Sequence, residues 1–138
     1  MPYEFTLVTE LPASPEQIYD SWLSSEGHTA MTGGVAHVTD RVGEDYDAWD
    51  GYITGKNIEL EPHRRIVQSW RTGHFEAEHS DSEIEVTLEK LPGGTRLSLR
   101  HSNVPDGQTN YEQSGWTDHY FTPMQRRFEW LQMALAGS

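Results

Sequence analysis

The chain has 138 residues, 22 acidic against 10 basic, a formal net charge of -12 and no cysteine. Disulfides and thiolate metal sites are therefore excluded, and nucleic acid and anionic membrane are disfavoured as partners because both repel so acidic a chain. A chain of this length fits one domain, 1–138, which buries roughly two-thirds of its unfolded surface and needs no metal or disulfide to fold.

The N-terminus opens Met1-Pro2-Tyr3-Glu4, with neither the basic region nor the apolar run of a signal peptide. No apolar stretch approaches the ~20 residues of a membrane span. The reading is a soluble cytoplasmic protein, monomer or weak dimer. Only Lys56 and Lys90 are lysines, a balance that also suits a high-salt cytoplasm.

Residues 3 to 11 alternate, with Tyr3, Phe5, Leu7 and Leu11 on one face, and predict a strand. Ser14-Pro15-Glu16-Gln17 carries a capping serine, a proline suited to the first helical position and a glutamine that completes a capping box. The spacing predicts a short helix with Ile18, Tyr19 and Trp22 buried, and Gly27 as its stop. Residues 28 to 34 are ambiguous, with a turn at Gly33-Gly34. Short strands are then expected at 35–42, at 48–54 with Trp49, Gly51 and Ile53 on one face, at 57–61, and at 65–72. Residues 83 to 89 alternate cleanly, with Ile84, Val86 and Leu88 inward. The turn Leu91-Pro92-Gly93-Gly94 leads to a partner strand at 95–102, with Leu97, Leu99 and His101 inward. The outward Arg96 and Arg100 can meet the outward glutamates across this hairpin.

The last stretch, 110 to 136, is the one long helical period. Trp116, Tyr120, Met124, Phe128, Leu131 and Leu135 are spaced 4, 4, 4, 3 and 4 apart and share a face. Pro123 interrupts it by removing the amide that would reach the His119 carbonyl, so a kink is expected there. A half-buried antiparallel sheet needs a cover, and this helix is long enough to supply it. The fold class is α+β: a curved antiparallel sheet of about six strands wrapped around a long C-terminal helix, with short helices after the first strand.

Several blocks together carry a family resemblance. They are Ile18-Tyr19-Asp20-Ser21-Trp22, Gly51-Tyr52-Ile53-Thr54-Gly55-Lys56-Asn57, Arg65-Ile66-Val67-Gln68-Ser69-Trp70-Arg71, Gly93-Gly94-Thr95-Arg96-Leu97, and Gly115-Trp116 through His119-Tyr120-Phe121. In this order they span nearly the whole chain. The sequence resembles the activator of heat-shock protein 90 ATPase homologue-like family of the START-like (SRPBCC) superfamily. The resemblance implies the helix-grip fold, in which sheet and terminal helix enclose a cavity. It implies no reaction, because one scaffold hosts many functions.

The residues themselves favour no catalytic or metal chemistry. His74 and His79 are five apart, not the four of a zinc-protease helix, and belong to a solvated loop or edge. Asp45, Asp47 and Asp50 lack the glycine and glutamate positions of a calcium loop and suit a polar hairpin tip. No nucleophile elbow or phosphate loop is present. No metal and no cofactor are expected. An inward His101 is either a satisfied core residue or a ligand contact.

The aromatics say more. Trp22, Trp49, Tyr52, Trp70, Trp116 and Tyr120 sit in elements that converge between sheet and helix. Either they fill the core, or they line a cavity of roughly 300–1,000 Å³. With His101 and Met124 they form the expected ligand-binding set. The function expected is non-enzymatic binding of a small apolar or aromatic ligand. The alternatives are a co-chaperone partner of heat-shock protein 90 and a cyclase- or hydrolase-type enzyme. Against the co-chaperone, the eukaryotic activators of that family carry a further N-terminal domain, for which no residues remain. The loop 103–110, with Pro105, Asp106 and Gly107, is expected to form the mouth of the cavity.

Overall fold

A computed structural model describes residues 2–108 and 110–136. Strand β1 (Tyr3–Leu11) turns Tyr3, Phe5, Leu7 and Leu11 inward and leaves Val8 exposed, as its alternation requires. Helix α1 (Pro15–Trp22) starts where the Ser14 Oγ accepts the Gln17 amide at 3.1 Å, and it buries Ile18, Tyr19 and Trp22. It stops at Leu23, not at Gly27. Gly27 lies inside a second helix, α2 (Ser25–Thr32), which Ser24 caps and which ends at Gly33 with φ 88°. Glycine is needed at 27 because a Cβ there would lie 2.8 Å from the Ser21 Cα, where the two helices turn back on each other.

The expected strand at 35–42 does not form. That stretch crosses the sheet edge with one isolated bridge, His37 to Asp47. The expected strand at 48–54 is also wrong. β2 (Asp45–Ala48) and β3 (Ile53–Glu61) are joined by a turn in which Trp49, Asp50 and Gly51 all have positive φ. Positive φ is rare for non-glycine residues, and a bulky indole there gives no local signal of a turn. β3 also absorbs the short strand expected at 57–61. β4 (Arg65–Thr72) forms where a strand is expected, and β5 (Ser82–Leu91) and β6 (Gly94–Val104) fall where the alternation puts them.

The six strands form one antiparallel sheet in the order β1-β6-β5-β4-β3-β2. The β5–β6 hairpin pairs Glu89 with Arg96 and Glu85 with Arg100. Of these, Arg96 bonds Glu89 at 3.0 Å, whereas Arg100 reaches Glu4 on β1 and Glu85 is taken by Arg65. These pairs are exposed or half-exposed, and each contributes little.

The chain from residue 110 to 136 is helical, and it covers the concave side of the sheet with Trp116, Tyr120, Met124 and Phe128, which are 2, 3, 0 and 1% exposed. It is not α-helical throughout. Two π-helical turns, Tyr111–Gly115 and Thr117–Phe121, precede helix α3 (Thr122–Ala136). The Trp116 amide reaches the Tyr111 carbonyl, and the Thr122 amide reaches that of Thr117. Pro123 cannot donate to His119, so the wide turn ends where the α-ladder is already broken. α3 packs against α2 and β1. Among the described residues no helix is long and apolar enough to cross a membrane.

Candidate functional site

A cleft of about 700 Å³ opens between the sheet and the π-helical turns. Trp49, Tyr52 and Ile53 enter it from the β2–β3 turn, and Trp70 comes from β4. His74 follows β4. Gly107 and Gln108 come from the loop before the helix, and Asn110 is the helix's first residue. Tyr111, Ser114, Gly115, Trp116, His119 and Tyr120 come from the π-helical turns. No Asp, Glu, Lys or Arg lies among these residues.

The aromatic floor is held from behind. The Trp70 ring meets Trp116 at 5.4 Å and the edges of Tyr111 and His101 at 5.0 and 4.6 Å. His101 is fully buried between Trp116 and β5, where the Trp116 indole N–H donates to its Nδ1 at 3.1 Å. An indole N–H only donates, so Nδ1 accepts and Nε2 carries the proton. Nε2 then donates to the Ser82 Oγ at 2.8 Å, and Ser82 donates to the Trp70 carbonyl at 2.7 Å. Burial pushes the His101 imidazole down to about 3.

A second buried histidine holds Tyr120. His28 Nδ1 lies 2.8 Å from the Trp22 carbonyl and must donate to it, so its Nε2 accepts the Tyr120 hydroxyl at 2.8 Å. Burial lowers this imidazole to about 4, although the bond to Trp22 opposes the shift. Burial also raises the Tyr120 hydroxyl, which stays a neutral donor.

Trp49 is placed differently. Its left-handed backbone (φ 53°) aims the indole at Gly34, where a Cβ would stand 2.4 Å from the ring. Its ring meets the edge of His119 at 5.2 Å. Its buried indole N–H has no hydrogen-bond partner among the described residues. Such a group costs about 1–3 kcal/mol unless something accepts from it.

The mouth is polar. The Tyr52 hydroxyl sits 2.5 Å from His74 Nδ1. Gln108 ties the loop down: its carbonyl accepts from Tyr3, its Oε1 from Tyr111, and its Nε2 donates to the His74 carbonyl. Tyr111 also bonds Thr72 at 2.7 Å, and burial pushes its hydroxyl up to about 12.

A second groove, of about 680 Å³, lies along β2, β3 and β4. Its charges are already matched: Arg71 with Asp81, Lys56 with Asp45, and His37 with Asp47. Among the described residues no three His, Asp or Glu side chains gather as a metal would require.

The model of the Activator of Hsp90 ATPase homolog 1-like protein family matches residues 12–129. The chain belongs to that family. It is 26% identical over 130 residues to the human activator of 90 kDa heat shock protein ATPase homolog 1, a match that covers 91% of this chain and 37% of the relative. The chain thus spans about a third of the length of such curated relatives. Among solved structures, an HSP90 activator from Plasmodium falciparum superposes with a TM-score of 0.81 at 22% identity, covering 90% of this chain and 94% of that one. The Aha1 dimer from Colwellia psychrerythraea gives 0.77 at 18%, covering 91% and 96%. At those identities the likeness shows the fold alone.

Within this Hsp90-activator-like scaffold the residues picked from the sequence divide. Trp49, Tyr52, Trp70, Trp116 and Tyr120 meet on the cleft wall. Trp22, His101 and Met124 do not line it. Trp22 is buried against α2 and donates to Gln68 at 3.2 Å, His101 stands behind Trp70 and Trp116, and Met124 is in the core one turn past Tyr120. Tyr111, Gln108, His74, Ser114 and His119 line the cleft without having been singled out for it. Tyr111 precedes Trp116 by five residues, which an α-helical period puts off the apolar face and a π-helical turn brings closer to it. The others lie in the loops and the polar turn around the mouth, where no period points inward.

Proposed function

We propose that the chain is a non-enzymatic START-like domain that holds a small apolar or aromatic ligand in this cleft and works in the cytoplasm. One observation carries the reading: a cleft of about 700 Å³ whose floor is Trp49, Trp70, Tyr111, Trp116 and Tyr120 and whose wall, among the described residues, bears no carboxylate or basic side chain. Pockets of this size bind by apolar area and take orientation from a few polar groups. Here those groups are the Tyr52 hydroxyl, Asn110 and Gln108. A screen of apolar aromatics and lipids by tryptophan fluorescence and thermal shift tests it. Ligand at 100 times its dissociation constant should raise stability by about 2.7 kcal/mol. No shift from a broad screen contradicts the reading.

A second reading is supported by the family. The curated relatives are named as activators of the heat-shock protein 90 ATPase, so heat-shock protein 90 is the alternative partner. The match covers only part of those relatives, and their activity does not transfer with the fold. A pulldown with the chaperone, run with and without a cleft ligand, separates the readings. Capture that is indifferent to cleft ligand favours the chaperone alone.

A further inference from the structure

We infer that the cleft selects its ligand by charge and takes an organic cation, a quaternary or aromatic ammonium, over an anion of the same size. The inference rests on the ligand-binding reading above and gives its ligand class. The floor offers the π-systems of Trp49, Trp70, Tyr111, Trp116 and Tyr120 in one cleft, and aromatic faces attract cations through their quadrupole. Tryptophan is the strongest such ring, and three are present.

The charges point the same way. Among the described residues no lysine or arginine lies on the wall, so a carboxylate or phosphate entering it would find no cationic partner there. Arg71, on the neighbouring β4, is committed to Asp81 and to the Glu76 and His79 carbonyls. The exposed carboxylates Asp50 and Asp118 each adjoin a wall residue in the chain. The net charge of -12 adds a field that draws cations and repels anions. Among the described residues the titratable side chains on the wall are His74 and His119 together with Tyr52, Tyr111 and Tyr120.

Three probes sharing one ring test the inference: 2-naphthylmethyl-trimethylammonium, 2-naphthalenemethanol and 2-naphthoate, titrated by tryptophan fluorescence at neutral pH. The cation should bind about tenfold or more tighter than the anion, with the neutral alcohol between. Part of that margin should survive at about 0.5 M salt, where screening removes the long-range field and leaves ring contact. Ser114→Lys places an ammonium on the wall at an exposed position. It should invert the order. Equal binding of all three probes, or a preference for the anion in the unaltered chain, overturns the inference and leaves the ligand-binding reading standing. Binding by none of them overturns both.

Discussion

His28 and His101 are the residues on which the cleft's back wall depends. Each is neutral, each has its tautomer set by a partner that can act in only one sense, and each orients an aromatic ring of the wall. The sign of their effect on stability follows from burial. In the unfolded chain an imidazole takes up its proton as pH falls through about 6.5. In the folded chain His28 does so only near 4 and His101 only near 3. Between those values the unfolded state binds more protons, so their contribution is full above pH 6.5 and declines on acidification. The loss is about 1.4 kcal/mol per pH unit for each histidine. Protonation of His101 would also set an N–H against the Trp116 N–H. Imidazole resonances in proton–nitrogen NMR at about pH 5.5 should therefore show both rings unprotonated, His28 as the Nδ1–H form and His101 as the Nε2–H form. An imidazolium signal from either ring would contradict the account. The inward direction of His101 could be read from the alternation of β6. Whether inward meant wall or core could not, because that depends on Trp70 and Trp116, which arrive from β4 and the π-helical turns.

At the scale of elements, β4 is a strand whose sequence does not orient it, because Ile66, Val67 and Trp70 put apolar side chains on both faces. Its inward face alternates Ile66, Gln68, Trp70 and Thr72, two of them polar and all buried. Gln68 accepts the Trp22 indole at 3.2 Å and donates to Asn57 at 2.8 Å. Asn57 in turn donates to the Thr39 and Arg41 carbonyls. This buried chain ties α1 to β4, β3 and the irregular segment 39–41, which has no strand ladder to hold it. Gln68→Leu keeps the volume and strands the Trp22 N–H and the Asn57 oxygen. At about 1–3 kcal/mol for each of the two orphaned groups, the variant should lose about 2–6 kcal/mol in a denaturant titration. A loss below about 0.5 kcal/mol would mean that water satisfies both groups and that the chain is not structural. The β5–β6 hairpin was readable because its alternation is unbroken, and the terminal helix because its apolar spacing carries on past Pro123. The Trp49-Asp50-Gly51 turn and the π-helical turns were not, because neither left-handed backbone at a tryptophan nor a five-residue repeat leaves a period in the sequence.

Across the whole molecule, the sheet and the terminal helix meet closely at one end and part at the other. Where they meet, Met124 and Phe128 fill the space with Ile18, Leu97 and Leu99. Where they part, the wide helical turns and the left-handed Trp49 leave the cleft. The five tryptophans sample both regions. Trp49, Trp70 and Trp116 line the cleft, Trp22 is sealed in the core, and Trp130 stands 57% exposed on the outer face of α3 beneath Arg127. Their indole N–H signals therefore form a built-in control for where a ligand sits. The most direct measurement is a proton–nitrogen NMR titration with an apolar aromatic ligand, following these five signals. The account predicts that those of Trp49, Trp70 and Trp116 shift together along one binding curve. Trp22 and Trp130 should stay in place. A titration in which Trp130 alone responds, or in which the three cleft signals do not move at saturating ligand, would contradict it.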